Sequence, residues 1–519
     1  MKKMAAHNNR KNVFLSGDEA IARGAYEAGL KFAASYPGTP ATEILEHLAG
    51  FDEVDSQWSV NEKIAYEVAL AASIAGARSL FAAKHVGINV AMDPLMISAY
   101  TGINAGFVVV SADDPGLHSS QSEQDNRYIA RFAGLPMLEP SSPYEAYMMT
   151  KEAFEMSEEY DLPVMIRITT RIAHTKENFD VSTRKDVPNK KFKVDASKYV
   201  MVPKNATVRH KELHEKLARL EKFSDSFEFN RAEMNSKRAG IITTGVSYLY
   251  CKEMYPDFSY LKIGLSNPLP KKMIRKFSET VDVIYVVEEL EPFMQDQIAA
   301  MGIRPISKYK SFCLGELKPE YIPLIIEGKE KPYREQKEKR PVLCPGCPHI
   351  NVFTILKKLK VTVTGDIGCY TLAYSAPFEA LHTQLDMGSG ATFLEGFSKI
   401  LGEKIVGVIG DSTFVHSGVP GLIDMAYNKT NAVLIILDNG TTAMTGNQPH
   451  PAVGITLKGK ITKKLILEDL CKACGADNVD VVACQDTEKL EELIKQRLNE
   501  KKLSVIIARQ PCVLLEKRK

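Results

Sequence analysis

Long hydrophobic runs are missing from this sequence. Apolar residues make up 45% of its 519 positions, yet no stretch approaches the roughly 18 consecutive apolar residues that a membrane helix needs, which excludes a membrane-spanning class. Charge of one sign is missing too: 66 Lys and Arg stand against 64 Asp and Glu, a formal charge of +2, so nothing points to nucleic acid as a partner. The opening MKKMAAHNNRKN is basic, but no apolar core follows it. It therefore lacks the form of a secretory signal and reads as a disordered lead-in over residues 1–11. A cytoplasmic protein is expected. Tryptophan is nearly absent, and the single Trp58 reads as a core or interface residue. Cysteine is sparse and odd in number, at nine, which in a reducing compartment argues against a disulfide framework and for thiols, metals or clusters. Sequence repeats and low-complexity tracts are absent.

What is present is alternation. At about 150 residues per domain, the length suggests three or so domains. From 12 to 175, β-branched runs such as GFVVVSA (106–112) and DLPVMIRIT (161–169) alternate with alanine-rich helical stretches such as NEKIAYEVALAASIAGA, the mark of a mostly parallel sheet covered by helices. Residues 176–237 are rich in Lys, Glu, Asp and Asn and read as a charged, solvated connecting segment. A small α/β block spans 238–326, and EGKEKPYREQKEKRP within 327–341 reads as a linker. The last block, 342–519, carries the strands KIVGVIGD (404–411) and NAVLIILDN (431–439) with a helix between them. The expected class is α/β throughout.

That last block holds the first strong chemistry. Asp411 ends one apolar strand and Asn439 ends the next, 28 positions on, and in an open α/β sheet both emerge at the carboxyl edge, where ligands bind. A carboxylate, an amide oxygen and a turn carbonyl such as that of Thr441 are hard donors suited to Mg2+, whose remaining positions go to water and substrate phosphates. The glycines of GDIGC (365–369) and MGSGATFLEG (387–396) would let backbone N–H groups approach a phosphate at a helix start. Glycine runs alone more often mark turns, so the spacing of Asp411 and Asn439 is the stronger sign.

The stretch LCPGCPHI (343–350) places Cys344 and Cys347 in a CxxC with His349 close behind. A zinc knuckle needs a second ligand pair nearby, and none is found near 369. A thioredoxin-type dithiol needs the CxxC at a helix start after a strand, which the prolines at 345 and 348 do not exclude. Half of an iron–sulfur site is the third reading. Cys471 and Cys474 form another CxxC, but within the helical pattern KKLILEDLCKACGA, where small buried thiols are the default. Cys251, Cys313 and Cys484 read as structural as well.

Taken together, GDSTFVHSG, LDNGTTAMTGNQPHP, CPGCPH and GDIGCYTL resemble the thiamine-diphosphate half of the alpha subunit of indolepyruvate:ferredoxin oxidoreductases, within the 2-oxoacid:ferredoxin oxidoreductases. YPGTP (36–40), QWSVNEK (57–63), AASIAGAR (71–78), KHVGINV (84–90) and ADDPGLHSSQSEQD (112–125) are similar to that family's pyrimidine-binding domain. The resemblance covers nearly the whole chain in the family's order. Ser412 stands where the broader thiamine-enzyme motif GDG has its second glycine, as it does in the indolepyruvate branch.

The resemblance implies a thiamine diphosphate-binding fold: two Rossmann-like parallel-sheet domains, for pyrimidine (12–175) and diphosphate (342–519), with the smaller α/β domain between them. It gives Glu62 the role of holding or sharing a proton with N1′ of the aminopyrimidine, a role that a mostly apolar pocket favours by raising the carboxyl pKa. Otherwise Glu62 is a helix-surface carboxylate near an N-terminus, and Glu67 is the fallback. Thr39 would contact the substrate carboxylate, although Pro-Gly-Thr-Pro is also ordinary turn chemistry. His118, with Ser119 and Gln121, lies in a polar loop after a strand, where some pyruvate-using relatives have an arginine. Lys84 and His85 could face the site, but a lone histidine is more often structural.

Cofactor contacts implied by the resemblance fall on Gly365, Gly368, Cys369, His349, Met387, Gly388, Gly390, Gly410, Asp411, Ser412, Asn439, Thr441 and Met444, with Asp411, Asn439 and Thr441 on Mg2+. Cys344, Cys347, Cys369 and Cys512 would hold one 4Fe-4S cluster, which four thiolates suit. The implied reaction is oxidative decarboxylation of an arylpyruvate, with electrons leaving singly through the cluster and coenzyme A taking the acyl group. The family's ferredoxin-like tail of CxxCxxC runs does not follow LLEKRK, so a ferredoxin or separate ferredoxin-like subunit is expected as acceptor. The smaller beta subunit is expected as partner in a hetero-oligomer. Two rival readings are a non-oxidative thiamine-dependent 2-oxoacid decarboxylase, and a non-catalytic subunit that binds cofactor only to assemble a complex.

Overall fold

The computed structural model describes residues 11–332, 342–401 and 404–516; the expected lead-in, apart from Lys11, and residues 333–341 of the expected linker lie outside the described residues. The chain divides into two compact units, Met1–Arg334 and Glu335–Lys519. Among the described residues, no helix is long and apolar enough to cross a membrane.

The first unit is built on a seven-stranded sheet. In spatial order its strands are Leu265–Asn267, Met137–Leu138, Val164–Thr169, Phe107–Asp113, Ser79–Lys84, Phe32–Ser35 and Asp55–Trp58. Only Leu265–Asn267 runs antiparallel to its neighbour. Phe107–Asp113 is buried at every position, as a strand with both faces covered must be, which is why its text is a continuous apolar run and not an alternation. The chain runs from Phe32–Ser35 outward to Asp55–Trp58, then returns on the other side at Ser79–Lys84. Such a reversal of winding leaves a crevice at the carboxyl ends of the two inner strands.

Residues 176–237, expected as a solvated connection, carry elements of their own. Lys176–Val181 pairs antiparallel with Lys11–Ser16. The helix Pro203–Ser224 buries Leu213 and Leu220, and its Arg209 and Lys216 donate to Asp161 Oδ2 at 3.0 and 2.8 Å. The two leucines are an apolar stripe narrow enough to be masked by the surrounding charge. The extended run before that helix is fixed as well. Lys190 N–H donates to Gly76 O at 2.8 Å, and a Cβ on Gly76 would lie 1.8 Å from Lys190 O.

The small α/β block forms a four-stranded sheet in the order Val283–Val287, Ala239–Thr244, Ser259–Ile263, Arg231–Glu233, the first three parallel. It belongs to the first compact unit. Its Leu265–Asn267 strand joins the larger sheet, and Arg127, with no exposed surface, donates to Glu288 Oε2 (2.5 Å), Glu289 O (2.6 Å) and Glu291 O (2.9 Å) while also pairing with Asp125. The Glu288 carboxylate accepts further N–H groups from Met294 and Gln295 at 2.9 Å.

The second unit is a five-stranded, all-parallel sheet: Thr362–Thr364, Ile405–Gly410, Ala432–Asp438, Leu503–Arg509, Asn478–Ala483. Successive side chains serve opposite faces. Val406, Val408, Val433, Ile435, Ile506 and Ala508 enter one core. Ile405, Ile409, Leu434, Ile436, Val505 and Ile507 enter the other. Each large aliphatic side chain buried this way contributes about 1.5–3 kcal/mol, and a one-residue slip would exchange the two faces. The strand ends are thereby fixed in register, with Gly410 opposite Leu437 and Asp438 opposite Arg509.

Arg127→Met deprives the buried Asp125 and Glu288 carboxylates of their closest cation, leaving only the more distant Arg167 and Lys308. Chemical denaturation of this variant should show a loss of about 3–5 kcal/mol; a loss comparable to that of an ordinary surface substitution would contradict this account.

Candidate active site

In the second unit the strand register brings two of the three expected metal ligands to one edge. Asp411 follows Ile405–Gly410, Asn439 follows Ala432–Asp438, and both are buried, as is Thr441. Asp411 Oδ1 accepts from Ser412 N–H and Oδ2 from Gly440 N–H, each at 2.8 Å. Asn439 Oδ1 accepts from Thr441 N–H at 3.1 Å. The tight turn is permitted by Gly440 at φ +72°. His450 adds its Nε2, 3.2 Å from Asp411 Oδ2. The sequence reading quoted this histidine within LDNGTTAMTGNQPHP but gave it no role, and only that motif could have revealed it. Ser412 is buried, its hydroxyl 2.9 Å from that of Thr442. Met444 is about half exposed on a short turn of helix.

The glycines behave differently from expectation. Gly388 and Gly390 N–H groups both donate to Asp366 Oδ2 at 2.8 Å, and Ile367 N–H donates to Oδ1 at 2.7 Å. The cradle drawn for a phosphate is thus engaged by a carboxylate from its own chain. Burial pushes the Asp366 carboxyl up to about 7, against the pull of those three N–H groups. Gly365 and Gly410 serve close packing: an added Cβ would lie 2.4 Å from Leu381 and 3.0 Å from Tyr370. A Cβ on Gly368 would meet the same Tyr370 ring at 2.3 Å. Met387 is half-buried at the mouth of that segment. The Tyr370 hydroxyl links these loops, donating to Ile367 O (3.0 Å) and accepting from Gly410 N–H (2.9 Å).

His349 opens the helix His349–Leu359 and stands edge-on to Tyr370, ring centroids 5.9 Å apart. Burial lowers its pKa to about 4, with the nearby Asp411 charge opposing, so the ring is neutral at physiological pH. Its Nδ1 is buried and has no hydrogen-bond partner among the described residues, an arrangement that costs free energy until something polar arrives. Together with the hard oxygen donors of Asp411, Asn439 and Thr441, this orphaned nitrogen fits a magnesium-bound diphosphate cofactor.

The same edge gathers the cysteines. Cys347 and Cys369 are both pushed up to about 11, first by burial and then by neighbouring thiols: Cys344 and Cys512 act on Cys347, and Cys347, Cys512 and Cys344 act on Cys369. Cys512 N–H donates to Asn439 O at 3.0 Å, which joins the backbone that carries the carboxyl-terminal thiol to the backbone of the candidate magnesium ligand. With neighbouring thiols beside them, Cys347 and Cys369 are costly to ionise without a cation nearby, which fits a metal cluster. Among the described residues, however, no group of three or more His, Cys, Asp or Glu stands close enough to hold a metal ion. Cys471 and Cys251 are buried. Cys484 is buried too, and Cys347 acts on it electrostatically, a neighbour that the sequence reading did not anticipate.

In the first unit the carboxyl edge around the reversal carries the other candidates. Glu62 is the first residue of the helix Glu62–Ala75, capped by Asn61, whose side chain accepts from Ile64 N–H at 3.0 Å. Its side chain is buried and lies on Gly87, where an added Cβ would be 2.6 Å from Oε1. Glu67, the fallback, instead pairs with Lys63 on the helix surface. Lys84 packs its aliphatic chain against Gly38 and donates from Nζ to Ser119 O at 3.0 Å; burial lowers its pKa, opposed by Asp114 and Glu62. Ser119 Oγ donates to Thr39 O at 3.1 Å, so YPGTP and the polar loop after Phe107–Asp113 meet. Asp114 fastens that loop, accepting from Ser119 N–H and from the Ser120 and Thr170 hydroxyls at 2.7–2.8 Å.

Thr39 is half-buried. His118 is exposed, its Nε2 3.7 Å from Glu316 Oε2, and Gln121 is exposed. His85 is buried, with Nε2 2.9 Å from Ser122 O, a packing role. Trp58 ends an edge strand and is half-buried.

Comparison with known proteins identifies the family. Residues 23–222 match the family of pyruvate flavodoxin/ferredoxin oxidoreductase thiamine diphosphate-binding domains. Residues 366–508 match the thiamine pyrophosphate enzyme C-terminal TPP binding domain. The chain is 38% identical to indolepyruvate oxidoreductase subunit IorA of Archaeoglobus fulgidus, over 98% of this chain and 87% of that protein. Against the IorA subunit of Thermococcus kodakarensis it is again 38% identical, over 97% and 86%. A solved 2-oxoglutarate:ferredoxin oxidoreductase from Magnetococcus marinus, with 2-oxoglutarate, coenzyme A and succinyl-CoA bound, shares the fold. It superposes with a TM-score of 0.51 at 18% identity, over 61% of this chain and 65% of that one. With matched motifs, sheet edges and relatives in agreement, the chain belongs to the alpha subunits of indolepyruvate:ferredoxin oxidoreductase, a family of thiamine diphosphate-dependent 2-oxoacid oxidoreductases.

Proposed function

We propose that this subunit acts on aryl 2-oxoacids such as indolepyruvate, converting them with coenzyme A to acyl-CoA and carbon dioxide while electrons leave singly through a 4Fe-4S cluster to ferredoxin. The observation that carries the reading is the junction of Cys512 with Asn439, beside three further thiols within electrostatic reach. It supports a reading in which the candidate electron exit adjoins the candidate diphosphate anchor. The names of the curated relatives support the aryl substrate.

Bound thiamine diphosphate supplies the carbanion chemistry that lets a 2-oxoacid lose carbon dioxide. The chain's own residues do the rest. Asp411, Asn439 and the Thr441 carbonyl would hold Mg2+ and through it the diphosphate. The neutral His349 would offer its Nδ1 to the same group, near the glycine segments and Met387, Gly410, Ser412 and Met444. Glu62, buried against Gly87, would hold or share a proton at the pyrimidine N1′. Thr39 would place its hydroxyl on the substrate carboxylate. His118, beside Glu316, would stand in the polar loop as a substrate contact. Cys344, Cys347, Cys369 and Cys512 would ligate the cluster as thiolates. A beta subunit would complete a hetero-oligomer in the cytoplasm.

One observation favours the non-oxidative decarboxylase instead: no metal-holding group of three or more side chains is formed among the described residues. Anaerobic purification with the beta subunit separates the two. The oxidative reading expects about four iron and four sulfide per cluster, bleaching of the cluster by indolepyruvate and acyl-CoA formation, with iron lost in Cys512→Ser. An aldehyde product from iron-free protein would overturn it. For the proton-holding role of Glu62, Gly87→Ala pushes the carboxylate aside, and kcat should fall by about 100-fold or more, the usual weight of a general acid–base group. Unchanged turnover in that variant would remove Glu62 from the role.

A further inference from the structure

We infer that Arg509 is a positioning residue that couples the diphosphate anchor to the cluster thiols, so that occupancy of either site tightens the other; this rests on the cluster reading above. The strand Leu503–Arg509 pairs with Ala432–Asp438 along its whole length, and Asp438 and Arg509 are the last partners. Beyond that point the two strand extensions stay joined by two backbone bonds. Gln510 N–H donates to Asp438 O and Cys512 N–H to Asn439 O, each at 3.0 Å. The first residue past one strand is thus the candidate magnesium ligand, and the third past the other is a candidate cluster ligand.

Arg509 fastens this fork from the side. Its Nε donates to Asp438 Oδ2 at 2.6 Å, and its two terminal nitrogens donate to Glu468 Oε1 and Oε2 at 2.8 and 3.0 Å. The planar guanidinium spans both carboxylates in one fixed geometry, which a lysine could not reproduce. The side chain is about two-fifths exposed, so its ion pairs add little to global stability. Their consequence is positional. With them, Asp438 and the start of the Gln510–Cys512 segment move as one braced unit, so that a shift of one passes to the other through the Cys512–Asn439 bond; without them that bond alone is left to carry it. A ligand drawing Asn439 into place therefore also places Cys512, and by linkage the reverse holds equally.

The test titrates Mg2+ and thiamine diphosphate into the full chain with its partner subunit, cluster-loaded and cluster-free, and compares Arg509→Gln with Arg497→Gln. Arg497 makes a similar ion pair to Asp480 (2.7 and 2.9 Å) elsewhere on the same sheet and controls for a merely structural loss. Glu468→Gln, which removes only the two terminal hydrogen bonds' charged acceptor, serves as the second variant should Arg509→Gln fail to fold. In wild type and Arg497→Gln, cluster loading should tighten cofactor affinity by roughly 5- to 150-fold, the usual range of coupling between sites. In Arg509→Gln or Glu468→Gln that ratio should collapse toward one, with iron content per chain falling as well. A wild-type ratio of one, or a full ratio retained in both variants, overturns the coupling while leaving the cluster reading intact. Wild-type protein that binds no iron under reconstitution overturns the cluster reading and the coupling together.

Discussion

Cross-strand register at the carboxyl edge of the five-stranded parallel sheet is the constraint on which the rest of the second unit depends. Parallel pairing places Gly410 opposite Leu437 and Asp438 opposite Arg509, and the residues that follow these positions are the ones with chemistry to offer. Because alternate side chains fill two separate cores, sliding any central strand by one position would send each aliphatic side chain into the core shaped for its neighbours. The cores therefore hold the register, and the register places Asp411, Asn439 and Cys512 together. Hydrophobic burial, which is not directional, here determines where directional ligands stand.

In the first unit the analogous constraint is steric. Glu62 occupies its place because the facing residue is Gly87, with no side chain to contest the space. The loops that carry Thr39 and Ser119 are held to one another through Lys84 and Asp114, so the polar loop rests on a built scaffold. Buried charge also joins the small α/β block to the larger sheet through Arg127, a device better suited to fixing one arrangement than to adding stability.

Much of this was legible in the sequence because it rests on local patterns. The strands ending at Asp411 and Asn439 announce themselves by β-branched runs, and their 28-residue spacing fits a strand–helix–strand unit. The CxxC was legible as chemistry, though its three readings could be ordered only with the help of family resemblance. Other features depend on tertiary contacts that no window of sequence contains. Asp366 captures the N–H groups of Gly388 and Gly390 from 22 and 24 positions away, and His450 reaches Asp411 across 39. The helix Pro203–Ser224 was hidden for a different reason. Its apolar stripe is two leucines wide, and its lysines and arginines, read as solvated, in part bind Asp161.

The central claim is that the paired strand ends at Asp411 and Asn439 form the metal-and-diphosphate anchor. Manganese substituted for magnesium makes that anchor visible by electron paramagnetic resonance. Wild-type protein should retain Mn2+ only when thiamine diphosphate is present, and folded Asp411→Ala and Asn439→Ala variants should both lose it. Mn2+ retained with unchanged affinity in both variants would contradict the account.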